Sequence, residues 1–195
     1  MVKSEDIPSI PDAAWLEERL GEGSLWRPSE ADLPPELTHA GSRDFLLRVG
    51  FPAVHLDAVG IDTRHLRDED ALEPCDADEF YGNRYPDDDS PPVNFCFTVA
   101  LQNDQHLMLE AADGGITHYD PNGWDHADGW QGPASESLPA LAVLLGLIAE
   151  SSDALETSDD TARAAAVTAL RERMTVGDLL VHDSEFWDQV FEDLI

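Results

Sequence analysis

Basic residues are scarce in this chain. Eleven Lys and Arg stand against 41 Asp and Glu among 195 residues, for a formal charge of -30. A surface that negative repels nucleic acid and anionic membranes and favours basic partners. The plainer reading is solvation of a protein from an acid-rich proteome. Cysteine is almost absent: Cys75 and Cys96 are the whole supply. Cys96 falls in the middle of an apolar alternation, so a small buried thiol is expected there rather than a disulfide. No run reaches the roughly 18 apolar residues that a membrane span needs. The opening Met1 to Asp6 is charged and no apolar segment follows, so no signal peptide is predicted. A reduced, cytoplasmic, soluble protein is the expectation. The nucleotide-binding, zinc-protease and hydrolase motifs GxGxxG, P-loop, CxxC, HExxH and GxSxG are missing. No internal repeat of 20–50 residues is found either.

Apolar content is ordinary, and five Trp with seven Phe argue for a filled core. The most informative stretch is Asn94 to Pro121. Phe95, Phe97, Val99 and Leu101 alternate with smaller residues, a period of two that reads as a strand with one bulky face. Turn residues at Gln102 to Gln105 end it. A three-residue loop at Asn103–Gln105 pairs Leu101 with Leu107, Val99 with Leu109 and Phe97 with Ala111. A two-residue loop sets Leu101 opposite His106 and strands Leu107 and Leu109 on the thin face. Register follows the buried face, so the three-residue loop is preferred. Asp113-Gly114 is a hairpin signal that pairs Ala111 with Ile116 and Leu109 with His118. The prediction is a three-stranded antiparallel meander whose apolar face helices must cover.

Helices are expected from Ser9-Ile10-Pro11-Asp12, with Ser9 as cap, to Gly21, and from Thr38 to Gly50. A further helix runs from a Ser135 or Ser137 cap to about Glu150, with Leu138, Leu141, Leu144, Leu145 and Ile148 on its stripe. Alanine-rich Thr161 to Met174 is helical. The last helix starts at Asp183 or Ser184 and carries Phe186, Val190 and Leu194 on one face, with Trp187 and Phe191 beside them. Short strand pieces are read at Val54–Leu56 and Val59–Ile61. Loops are read at Asn122 to Pro133, and a linker at Ser151 to Asp160. Residues 57–90 are the most acidic segment, with twelve Asp and Glu against Arg64, Arg67 and Arg84. They read as a long excursion at the sheet edge.

The order of these elements resembles a known family. Leu33-Pro34-Pro35-Glu36-Leu37-Thr38, then Ser42 to Pro52 with Phe45-Leu46 and Gly50-Phe51-Pro52, is similar to the opening of the SUKH immunity-protein superfamily, fourth subgroup. Asp113-Gly114-Gly115-Ile116, Ser137-Leu138-Pro139-Ala140-Leu141, and Phe186-Trp187 with Phe191-Glu192-Asp193-Leu194 resemble its sheet, its following helix and its closing helix. The resemblance covers about residues 25–195, which sets 1–24 apart as an N-terminal helical extension and 25–195 as one domain. It implies an α+β fold: a mixed central sheet with an antiparallel meander, flanked by helices. It also implies a protein that binds and neutralises a protein toxin, without catalysis; one-to-one binding and no cofactor are expected. The family's contact residues form no fixed motif.

Candidate site residues are therefore read from chemistry. Asp87, Asp88 and Asp89, in the acidic segment, are placed to ring a basic partner. They lack the Gly and distal Glu of a calcium loop. Trp124 and Trp130 either cover the end of the meander or anchor a binding face. His118, Asp120 and His126 have the donor types of a metal site, but the predicted register puts His118 on the apolar face, as a hydrogen-bonded core histidine. Glu110 with Asp113 or Asp120 is a conceivable carboxylate pair, with no nucleophile beside it. Two readings follow: an immunity protein that occludes a nuclease or deaminase with a basic cleft, and a regulatory or scaffolding adaptor of the same fold with a non-toxin partner.

Overall fold

The computed structural model describes residues 7–68, 71–85, 87–123 and 129–195. Helix α1 (Ala13–Leu20) is capped by Asp12, whose carboxylate accepts from the Trp15 amide at 2.8 Å. The cap is thus Asp12 and not Ser9. Strand β1 (Leu25–Trp26) pairs with β2 (Phe51–Pro52) in a separate ribbon. Between them lies α2 (Ala40–Arg48), capped by the ring of His39 rather than begun at Thr38.

Among the described residues the main sheet has seven strands. These are β3 (His55–Leu56), β4 (Ile61–Asp62), β5 (Cys75–Asp76), β6 (Phe95–Gln102), β7 (Gln105–Glu110), β8 (Ile116–Tyr119) and β9 (Trp130–Ser135). The order is β3-β4-β6-β7-β8-β9, with β5 also on β6. The α+β class is as expected. Every pairing among the described residues is antiparallel, so the mixed sheet implied by the resemblance gives way to an antiparallel one.

The meander forms with other turns than those predicted. β6 and β7 are joined by a two-residue turn that sets Gln102 opposite Gln105 and Leu101 opposite His106. Asn103 takes a left-handed φ of 55°, a conformation Asn tolerates. The cost to the apolar face is removed by a bulge between Thr98 and Ala100. It slips the register by one, so Ala100 meets Leu107 and Phe97 meets Leu109 on the buried side. The next turn is wider than a two-residue Asp113-Gly114 hairpin: Leu109 meets Ile116 and Leu107 meets His118. The shift is by two residues, so each side chain keeps its face. Gly114 is required here, because a Cβ would lie 2.0 Å from the His39 ring. The amides of Thr38 and His39 both donate to the Ala111 carbonyl, clamping α2 to this turn.

The span Asn122 to Pro133 is not all loop. Trp130–Ser135 is β9, an edge strand that accommodates Gly132 and Pro133. The Pro133 carbonyl accepts from the Ser184 hydroxyl at 2.9 Å, away from β8, so the proline's missing donor is not needed by the ladder.

Helix α4 (Leu138–Leu155) lies against the apolar face, capped by Ser137. It has the length and hydropathy of a membrane span, but most of it is buried in the core. An all-round apolar helix is what a central core position demands. It runs past Glu150, through part of the predicted linker, to bury Leu155 in the core, and the Ser151 and Ser152 hydroxyls on the way bond back to the carbonyls of Leu147 and Ile148. α1 packs on it, with the Trp15 ring over Gly146. Helix α5 (Asp160–Gly177) also packs on α4, and α6 (Glu185–Glu192) packs on β9. Asp178, buried after α5, accepts from the Ser135 hydroxyl and the Glu136 amide, which fixes α5 to the start of α4. The opposite sheet face is covered in part by the short helix α3 (Ala77–Phe80), over Cys96, Met108 and Tyr119.

Candidate partner-binding surface

Asp76 ends β5 and caps α3 by accepting from the amides of Asp78 and Glu79. It also pairs with Arg84, an ion pair largely withdrawn from solvent. The backbone then returns: the amides of Asn83 and Arg84 both donate to the Asp78 carbonyl. Arg84 Nε stands 3.9 Å from Asp88. The acid run Asp87, Asp88 and Asp89 is thus anchored at its root, and all three side chains are exposed. The Ser90 hydroxyl and amide donate to Asp88 and hold its carboxyl below the usual range. Tyr85 and Val93 flank the run at 82% and 78% exposure.

Beside this segment is a cleft of about 390 Å³ between α3, the start of β6 and the turn after β7. Glu36, Asp78, Glu110 and Asp113 contribute carboxylates to it, over a floor that includes Phe95 and Ala111. Tyr81 donates to Glu110 at 2.6 Å. Burial raises the Glu110 carboxyl above its ordinary value, and the hydroxyls of Tyr81 and Thr117 oppose that shift.

Trp130 is 51% exposed on β9, directly opposite Tyr119. Opposed residues project to one side of a sheet. Tyr119 stacks on Phe80 of α3, with ring centroids 4.8 Å apart. Trp130 therefore shares the α3 face of the sheet, which is the face the acid run returns from. Trp124 lies outside the described residues, as does His126.

Residues 11–193 match the family model described as SUKH-4 immunity protein. The chain belongs to the SUKH-4 immunity protein family. Nothing matches among curated proteins or among solved structures.

The other candidate residues of this SUKH-4 protein are placed as follows. His118 is buried on the apolar face, its Nε2 donating to Gln105 Oε1 at 2.6 Å and its ring edge-on to Phe186. Burial pushes its pKa down, against the smaller pull of Asp120. Among the described residues no three His, Cys, Asp or Glu side chains are grouped to hold a metal. Glu110 and Asp120 sit at opposite ends of the β7–β8 pair, since Glu110 bonds Gly115 while Asp120 follows the residue opposite His106. They form no carboxylate pair. Asp113 does share the turn with Glu110, but its Oδ1 accepts from the Gly115 amide and shapes that turn.

Sequence reasoning missed the cleft and the exposed pair Tyr85 and Val93. Tyr85 and Val93 carried a faint signal, as apolar residues bracketing an acid and proline run. The cleft carried none, because Glu36 meets Asp113 only through the clamp of Thr38 and His39 on Ala111.

Proposed function

We propose that this SUKH-4 protein acts in the cytoplasm by binding one cognate protein toxin, one to one, and neutralising it by occluding its active cleft. It carries out no catalysis, uses no metal or cofactor, and contacts neither nucleic acid nor membrane. Membership of an immunity-protein family supports the immunity role. The observation that carries the finer reading is the exposed run Asp87 to Asp89, rooted on Arg84 and flanked by Tyr85 and Val93. Carboxylates so displayed suit a toxin whose own site is basic, a nuclease or deaminase, where they stand in for phosphates and speed encounter. Trp130, and Trp124 in sequence, supply the aromatic anchors such interfaces favour.

The test is co-expression with whichever toxin domain a neighbouring gene encodes. Growth is expected to be restored, and the purified pair should run as a one-to-one complex with an interface on the order of 1,600 Å². Failure of the two to associate at micromolar concentration would leave the adaptor reading in its place.

A further inference from the structure

The chain has two cysteines, and the fold sets them against each other. Cys75 of β5 and Cys96 of β6 are directly opposed in antiparallel register. Both are free thiols. Two positions along, the Ala77 amide donates to the Asn94 carbonyl at 3.1 Å. Hydrogen-bonded and non-bonded pairs alternate along such a ladder, so Cys75 and Cys96 form a hydrogen-bonded pair, with Cα atoms about 5.5 Å apart. That Cα separation lies within the range of a disulfide, while the Cβ atoms of a hydrogen-bonded pair, about 5.5 Å apart, must draw in to roughly 4 Å as the bond closes. Both side chains belong to the small cluster under α3. The Cys96 thiol points at the Cys75 carbonyl, 3.9 Å away, so its sulfur already faces β5. Cys96 is buried, whereas Cys75 is only partly so and its thiol donates to the Glu73 carbonyl at 3.7 Å, on its own strand's approach.

We propose that Cys75 and Cys96 form a thiol–disulfide pair that takes a small disulfide, such as oxidised glutathione, as its oxidant and closes a covalent link from β5 to β6. The Cys75 thiolate attacks one sulfur of the small disulfide. That S–S bond breaks, one small thiolate leaves, and Cys75 carries a mixed disulfide. Cys96 then gives its proton to solvent base and attacks the Cys75 sulfur, releasing the second small thiolate. Two protein thiols lose two electrons, and one disulfide is reduced to two thiols. Reduced thiols in the same pool reverse the sequence.

The link has a structural consequence. β5 is two residues long, and Asp76, next to Cys75, both caps α3 and holds Arg84. A bond at Cys75 fastens the whole acid-bearing segment to the sheet. Burial keeps both thiols protonated well past neutrality, with Glu73 adding to the effect at Cys75 and Cys96 pushed up to about 12. The exchange therefore quickens as pH rises.

The experiment incubates the full chain with mixtures of reduced and oxidised glutathione at mildly alkaline pH, in buffer and in urea. Trypsin cuts at Arg84, between the two cysteines, so a non-reducing peptide map reads the link directly. In buffer the expected product is one intramolecular Cys75–Cys96 bond, with a mass lower by two hydrogens. Its effective concentration should be at least tenfold above that in urea. Cys96→Ser should stop at glutathione on Cys75, and Cys75→Ser should stay unmodified, each with a cooperative urea transition retained. In the linked native protein, cleavage after Arg84 should slow at least tenfold. Links between chains, a mixed disulfide as the only product of the parent protein, or equal linking in buffer and urea would overturn the proposal. Unchanged cleavage at Arg84 in the linked form would overturn the fastening of the acid segment. None of these outcomes involves a toxin, so the result stands apart from the immunity reading.

Discussion

The proton on His118 has its place set by Gln105: the amide oxygen accepts, so Nε2 donates, and buried Nδ1 has no hydrogen-bond partner among the described residues. Charging this ring places a cation against Phe186 in the core. Its folded pKa lies below the ordinary value for that reason. The unfolded chain then binds more protons than the native one wherever pH lies between the two pKa values. The neutral ring's contribution is complete above about 6.5 and erodes as pH falls below it. Glu110 works the other way, since burial raises its pKa and acid favours its folded form. Comparing two proteins that share Glu110 removes that term. Between pH 7 and 5, the parent is expected to lose on the order of 1 kcal/mol more than His118→Gln, measured by urea unfolding. Parallel profiles would show that the ring is relaxed by solvent. The apolar setting of His118 was legible from the alternation of β8 alone. Its partner was not, because Gln105 reaches it only once the tight turn at Asn103 has formed.

At the scale of elements, side-chain period carried most of the information and turn chemistry the least. Phe97, Leu107, Leu109 and Ile116 share the buried face as their spacing implies. The bulge at Val99 was not legible, because it answers the two-residue turn across the hairpin rather than any local preference. β9 was hidden by Gly132 and Pro133, which normally break a strand; an edge position with α6 against it tolerates both. The end of α4 was hidden by serines whose hydroxyls bond back into the helix. The closing helix was plain. Phe186, Trp187, Val190 and Phe191 are buried, and Trp187 Nε1 donates to the Ala134 carbonyl at 2.7 Å. α6 thus covers an apolar surface and guards the sheet edge at β9. Truncation after Asp183 should expose both. The expected product is insoluble, or lacks a cooperative melt by near-UV circular dichroism. A soluble fragment with an intact transition would make α6 an appendage.

For the whole molecule, the net charge of -30 is a property of encounter more than of fold. Exposed carboxylates act over a Debye length of about 8 Å at physiological salt, so they guide a basic partner before contact and add little once water has left the interface. The run Asp87 to Asp89 fits that role: it is exposed, tethered at Arg84, and set beside an acid-lined cleft. Trp130, half-exposed on the same sheet face, fits the other role, that of a contact that must be broken for the complex to part. The two therefore separate in kinetics. Converting Asp87, Asp88 and Asp89 to Lys should slow association with the cognate toxin about tenfold at low salt, flatten its salt dependence, and leave dissociation nearly unchanged. Trp130→Ala should leave association intact and speed dissociation by the equivalent of about 2 kcal/mol. Stopped-flow mixing across a salt series reads both, with an unchanged melt as the control for folding. Because the two curves for the triple variant and the parent should converge as salt screens the run, the low-salt end decides. Equal association rates there would reduce the acid run to a solvating surface and remove the support for a partner with a basic site.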